Sequence, residues 1–133
     1  MISEVDEALR AALRETLSRG TLVRFDPPTP SWLAEPHPRP TVHLFLFQLR
    51  DDPSLPGVGR RELSYLVTAR AEDIEREHRL LDRALRTLTA SPELAADTVV
   101  RLADPGGGDL WSALGMPARA AFVIAVSAPG SPS

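Results

Sequence analysis

The stretch Thr41-Val-His-Leu-Phe-Leu-Phe-Gln-Leu49 decides the fold. Successive side chains of a strand point to opposite faces, so Val42, Leu44 and Leu46 share one side and His43, Phe45, Phe47 and Leu49 the other. Both sides are largely apolar. That pattern predicts a central strand covered on both faces, and therefore a sheet with helices packed on it.

Upstream lies Pro27-Pro-Thr-Pro-Ser-Trp-Leu-Ala-Glu-Pro-His-Pro-Arg-Pro40, which holds six of the chain's 13 prolines. Proline lacks an amide donor and biases its predecessor toward extended backbone, so the segment predicts a stiff arm over 27–40 without helix or central strand. Before the arm, Leu22-Val-Arg-Phe25 reads as a short strand. Val5, Leu9, Ala12, Leu13 and Leu17 recur at helical spacing and predict an amphipathic helix over 4–19, with Ser3 at its N-cap and Gly20 just beyond its end.

Downstream, residues 51–61 form a turn-rich loop and 62–70 a returning strand. A second helix spans 71–89 with the stripe Ile74, His78, Leu81, Leu85 and Leu88, flanked by Leu80 and Ala84. Residues 98–103 are a strand, 104–108 a glycine loop, 109–114 a short helix capped by Asp109, and 119–128 a final apolar strand. The expected class is α+β: a single mixed sheet of about five strands, two main helices packed on it and a proline-rich extended arm. One domain over 1–128 is followed by a flexible tail, 129–133.

Composition narrows the functional classes. At 133 residues the chain is one domain able to bury a core without staples. The absence of cysteine excludes disulfides, thiolate metal sites and cysteine nucleophiles. The net charge is −3, with the basic side chains, all arginine, interleaved with acids; a nucleic-acid binder concentrates positive charge instead. The longest apolar run, 120–126, is far too short to cross a bilayer, and the acidic start lacks a signal peptide's character. A cytoplasmic protein with no membrane and no nucleic-acid partner is the expectation.

No chemical motif rises above its structural reading. Asp104-Pro-Gly-Gly-Gly-Asp109 lacks the lysine of a phosphate loop, and its two acids repel phosphate. Glu75 and His78 share the spacing of di-iron helices, but no second such pair exists. Ser54, Ser64, Ser112 and Ser127 sit in no nucleophile elbow. No catalytic residue, metal ligand or cofactor is expected. An enzyme would need a polar pocket around His78 or His43; a nucleic-acid binder would need Arg60, Arg61, Arg70 and Arg119 on one surface. Trp32 and Leu33 on the arm, with Pro28, Pro30 and Arg39, form a candidate interface, because a preorganised aromatic anchor suits partner contact; Trp32 folding back on its own domain is the equal alternative.

Several blocks resemble a known family. They are Ile2-Ser-Glu-Val-Asp-Glu-Ala-Leu-Arg10, Val23-Arg-Phe-Asp-Pro-Pro-Thr-Pro-Ser-Trp32, Arg39-Pro-Thr-Val-His-Leu-Phe-Leu-Phe-Gln-Leu-Arg-Asp-Asp52, Glu62-Leu-Ser-Tyr-Leu-Val-Thr-Ala-Arg70, Glu77-His-Arg-Leu-Leu81 and Leu110-Trp-Ser-Ala-Leu-Gly115. Together they resemble the cap, or tube-terminator, proteins of phage-tail-like contractile injection systems. The resemblance implies a structural role without catalysis or cofactor: a homohexameric ring that ends the inner tube, contacts the inner-tube protein and anchors the last layer of sheath protein. Rings close when one patch of a subunit matches a different patch on the next; the arm and the sheet edge are the two candidates.

Overall fold

A computed structural model describes residues 1–35, 38–54, 57–90, 93–95, 97–103, 107–117 and 119–130, with backbone alone for 33, 93, 95 and 107–109. The elements run α1 (Ile2–Thr16), β1 (Leu22–Arg24), α2 (Pro30–Leu33), β2 (Thr41–Asp51), β3 (Arg60–Arg70), α3 (Ile74–Ala90), β4 (Glu93–Ala95), β5 (Thr98–Ala103), α4 (Gly107–Ala113) and β6 (Ala121–Pro129). One mixed sheet has the order β1-β2-β3-β6-β5-β4. Among the described residues, the β1–β2 pair is parallel and the other pairs are antiparallel. The α+β class with helices on a single sheet therefore holds, with one strand more than expected.

Helices α1 and α3 cover one face. Val5, Leu9 and Leu13 of α1 and Ala84 and Leu88 of α3 meet Val42, Leu44, Leu63, Tyr65, Val67, Ile124 and Val126 in the main core. Each fully buried leucine there contributes about 1.5–3 kcal/mol. Tyr65 ties the layers together by donating from its hydroxyl to Asp6 Oδ1 at 2.6 Å. The opposite face has a smaller second core of Trp32, Leu66, Trp111, Met116 and Val123, supplied by α2 and the α4 region.

Several sequence expectations are corrected. Strand β2 is covered on both sides only over its first half: Val42 and Leu44 are buried, whereas Phe47 and Leu49 are exposed. A bulge between Leu46 and Gln48 shifts the register, so Leu49, opposite Leu63, lies on the face of Leu44 and Leu46 and not on that of Phe45. Helix α1 starts at Ile2 with Met1 at its cap, so Ser3 lies inside it, and it stops at Thr16, where Leu17 turns extended. Helix α3 begins at Ile74, and its inward face is rotated from the expected stripe. Glu77 is buried while Ile74 is exposed, and His78 is exposed too. Helix α4 begins at Gly107, placing Asp109 in its first turn and not at its cap; residues 104–106 of the glycine loop lie outside the described residues. The arm is not extended throughout, since Pro30–Leu33 is a helical turn. The expected tail is partly ordered: Pro129 belongs to β6 and the Gly130 amide donates to the Gly59 carbonyl at 2.8 Å. Residues 131–133, like His37 in the arm, lie outside the described residues.

Candidate interface and buried charge clusters

The proline segment turns because proline suits the first position of a helix, where its missing N–H has no partner to lose. Thr29 stands at the cap and the Trp32 amide donates to its carbonyl at 3.0 Å. This turn carries Trp32 inward. The indole is 6% exposed, lies 4.2 Å from the His43 ring, centroid to centroid, and receives the Arg119 guanidinium at 5.7 Å. The structure thus places Trp32 in the subunit's own second core. Pro28 is buried, whereas Pro30 and Arg39 are exposed; Arg39 Nη2 donates to the Gly20 carbonyl at 3.4 Å. The side chain of Leu33 lies outside the described residues. Of the four candidates whose side chains are described, Pro30 and Arg39 are displayed to a partner by the isolated subunit.

Beneath Trp32, His43 is 1% exposed. Its Nδ1 lies 3.3 Å from the Asp26 carbonyl. A carbonyl only accepts, so Nδ1 carries the proton and donates. Nε2 is buried without a hydrogen-bond partner. Burial lowers the imidazole's pKa from 6.5, against the opposing pull of the Asp26 carbonyl.

On the other side of Trp32, Glu77 is buried at the start of α3. It accepts from Arg70 Nη1 at 3.0 Å, from the Ala71 amide at 3.3 Å, and from Arg119 Nη2. One carboxylate thus joins α3, the end of β3 and the approach to β6. Sequence reading missed it because Arg119, which completes the cluster, lies 42 residues away; its spacing from Leu80, Leu81, Ala84 and Leu88 was the available signal.

A second polar cluster lies at the opposite end of the sheet, on the face away from α1 and α3. Buried Glu62 accepts from Arg50 Nη2 at 2.8 Å and Arg101 Nη2 at 2.9 Å. Asp52 accepts from the Ser54 amide at 3.0 Å, the Ser54 hydroxyl at 2.6 Å and the Ser127 hydroxyl. Arg60 donates to Ser127 Oγ at 3.1 Å and to the Asp97 carbonyl at 2.8 Å. All of these but Arg50 line an open groove of ≈ 520 Å³.

The chemistry open to this groove is narrow. The donated hydroxyls of Ser127 and Ser54 hold the Asp52 carboxyl at about 2. A general base works best with a pKa near the working pH, so Asp52 is a poor activator of either serine. Among the described residues, none that lines it is a histidine. Arg60 and Arg61 lie at this end and hold Asp97 and Asp51, while Arg70 and Arg119 hold Glu77 at the other end; the four do not converge on one surface. Among the described residues, no cluster of three His, Asp or Glu side chains is placed to hold a metal, and no helix is long and apolar enough to cross a membrane.

Residues 4–131 match the family model of the Pvc16 N-terminal domain. None of the curated proteins matches the sequence. Two solved structures superpose on the whole chain. The sheath/tube terminator of PVC, an extracellular contractile injection system, in its extended state, matches with a TM-score of 0.80 and 22% identity over 100% of this chain and 57% of its own. The tube-terminating cap of the anti-feeding prophage matches with a TM-score of 0.77 and 19% identity over 100% of this chain and 56% of its own. The likeness is one of fold, and the chain spans just over half the length of each.

Proposed function

The chain belongs to the Pvc16 N-terminal domain family, and from that premise we propose that it terminates the inner tube of a contractile injection system as a subunit of a closed homohexameric ring. The observation that carries this reading is the family match over nearly the whole chain, joined to a fold shared from end to end with two tube terminators. The role is structural: among the described residues, the weak basicity of Asp52, the exposed position of His78 and the burial of His43 leave no base and nucleophile poised for catalysis. A terminator acts by occupying the tube end with a surface that the next tube ring does not recognise.

The inner-tube protein is the primary partner under this reading, and sheath protein a second one reached through the ring's outer surface. The exposed Pro30 and Arg39 of the 27–40 segment are candidate contact residues, with Trp32 buried behind them as a support. Assembly takes place in the cytoplasm, where the particle is built. Deleting the gene tests the role: electron micrographs of the particles should show tubes of widely scattered length and incomplete sheath. Particles of uniform length and full sheath would overturn it.

A further inference from the structure

Among the described residues, the two sides of the sheet are each closed over about a third of their length or less. Strand β1 pairs with Thr41, Val42 and His43 of β2 and goes no further. Strand β4 pairs, among the described residues, with Thr98 and Val99 of β5. Among the described residues, no other backbone segment bonds to the outer edge of β2 beyond His43 or of β5 beyond Val99.

The backbone groups left open can be assigned. Asp52 donates its amide to Arg60 across the β2–β3 ladder at 3.0 Å. Antiparallel ladders alternate, so Arg50 also faces β3, while Leu49 and Asp51 aim N–H and C=O outward. Likewise Gly130 donates to Gly59 at 2.8 Å, so Ala128 and Val126 face β3, and Ser127 and Ala125 face β5. Their partners Val99 and Arg101 are thereby engaged, and Val100 and Leu102 aim their backbone groups outward. The same two edges carry exposed leucines: Leu49 is 47% and Leu102 54% exposed. Leu49 lies across from Leu63, and Leu102 across from Ile124. Both therefore stand on the face that carries α1 and α3.

We infer that the open edge of β2 in one copy pairs with the open edge of β5 in the next, extending the sheet from subunit to subunit with Leu49 against Leu102. Strand directions alternate along β2, β3, β6 and β5, so the new pair is antiparallel. The ladder also sets its register. Arg50 shares a row with Glu62, Ser127 and Val99. With no offset, the incoming Arg50 and Asp51 would therefore occupy the place of β4. A slide of two residues, the smallest that keeps every side chain on its face, moves Asp51, the last residue of β2, clear of Val99 and its β4 partner Glu93. It sets Leu49 opposite Leu102 and Asp51 opposite Val100, with outward backbone groups facing each other in both pairs. Arg50 then meets Arg101, and each of these already holds a Glu62 carboxylate. The contact is head-to-tail, using two different patches of one chain, as a closed ring requires.

This inference rests on the ring reading above, and its test separates the two. The chain has no cysteine, so Leu49→Cys and Leu102→Cys report only the designed contact. The two single variants, each checked for wild-type melting, are mixed, oxidised gently, and run both at high concentration and on inner-tube ends. A disulfide-linked dimer that forms in the mixture and in neither variant alone supports the pairing. Leu49→Pro, which removes only an outward amide, should weaken assembly about tenfold relative to Leu49→Ala. If the wild-type chain caps tubes but the mixture never cross-links, the edge pairing is overturned and the terminator role stands. If the wild type ignores tube ends, the terminator role falls, and the concentrated mixture alone decides the pairing: cross-linking supports it and its absence overturns it.

Discussion

The indole of Trp32 and the imidazole of His43 lie 4.2 Å apart, tilted by 57°, and each buries the other. Trp32 comes from a single helical turn among prolines, His43 from the first half of β2. Their contact fastens the 27–40 segment to the sheet and shields the unpaired Nε2 of His43 from water. The arm is thereby part of the subunit's structure.

Removing the indole should cost folding stability. Trp32→Ala opens a cavity beside Leu66, Trp111 and Val123, and large-to-small changes at such sites cost about 3–5 kcal/mol. Urea unfolding of wild type and variant checks this; an unchanged midpoint would contradict the packing described.

The His43 contact predicts a pH dependence with a definite sign. The folded-state pKa is depressed below 6.5 by burial, so the unfolded chain binds the proton first as pH falls. Stability is complete above 6.5 and declines below it, toward the folded-state value. Comparing the urea midpoints of wild type and His43→Gln between roughly pH 5 and 7.5 isolates this slope from that of the carboxylates. Parallel profiles would contradict it.

Glu77→Gln should destabilise sharply. It keeps the side chain's shape but removes the charge that Arg70 and Arg119 share, and breaking a buried ion cluster costs about 3–5 kcal/mol. Ala at His78, an exposed neighbour on the same helix, should change the melting temperature little. Equal effects of the two substitutions would refute the assignment of Glu77 as the inward residue.

Asp52 should keep its charge deep into acid. Its carboxyl titrates at about 2, against an ordinary 3.8, chiefly because Ser127 and Ser54 donate to it. The stability this carries is present above 3.8 and is lost as pH falls through about 2. NMR titration of Ser127→Ala should show the carboxyl moving up toward its ordinary value; no movement would contradict the hydrogen bond's role.

How much of this was legible depended on length scale. The long elements announced themselves through period: α1 through Val5, Leu9 and Leu13, and β2 through Val42, Leu44 and Leu46. Three-residue β4 is too short to show alternation. Helix α2 was hidden because proline argues against a helix everywhere except its first turn, which is where Pro30 stands. Glu77 was missed for a different reason. A charged residue on a core face makes sense only once Arg119, 42 residues further on, joins Arg70 around it, and period carries no such information. The same holds for Asp52, whose partner Ser127 is reached only through the β2–β3–β6 ladder.

The most direct test of the terminator role is cryo-electron microscopy of inner tubes grown with and without the purified chain. The account predicts tubes that stop short in its presence, each with one extra ring of six copies on one end. Tubes that elongate unchanged with bare ends, while the chain stays monomeric in solution, would contradict it.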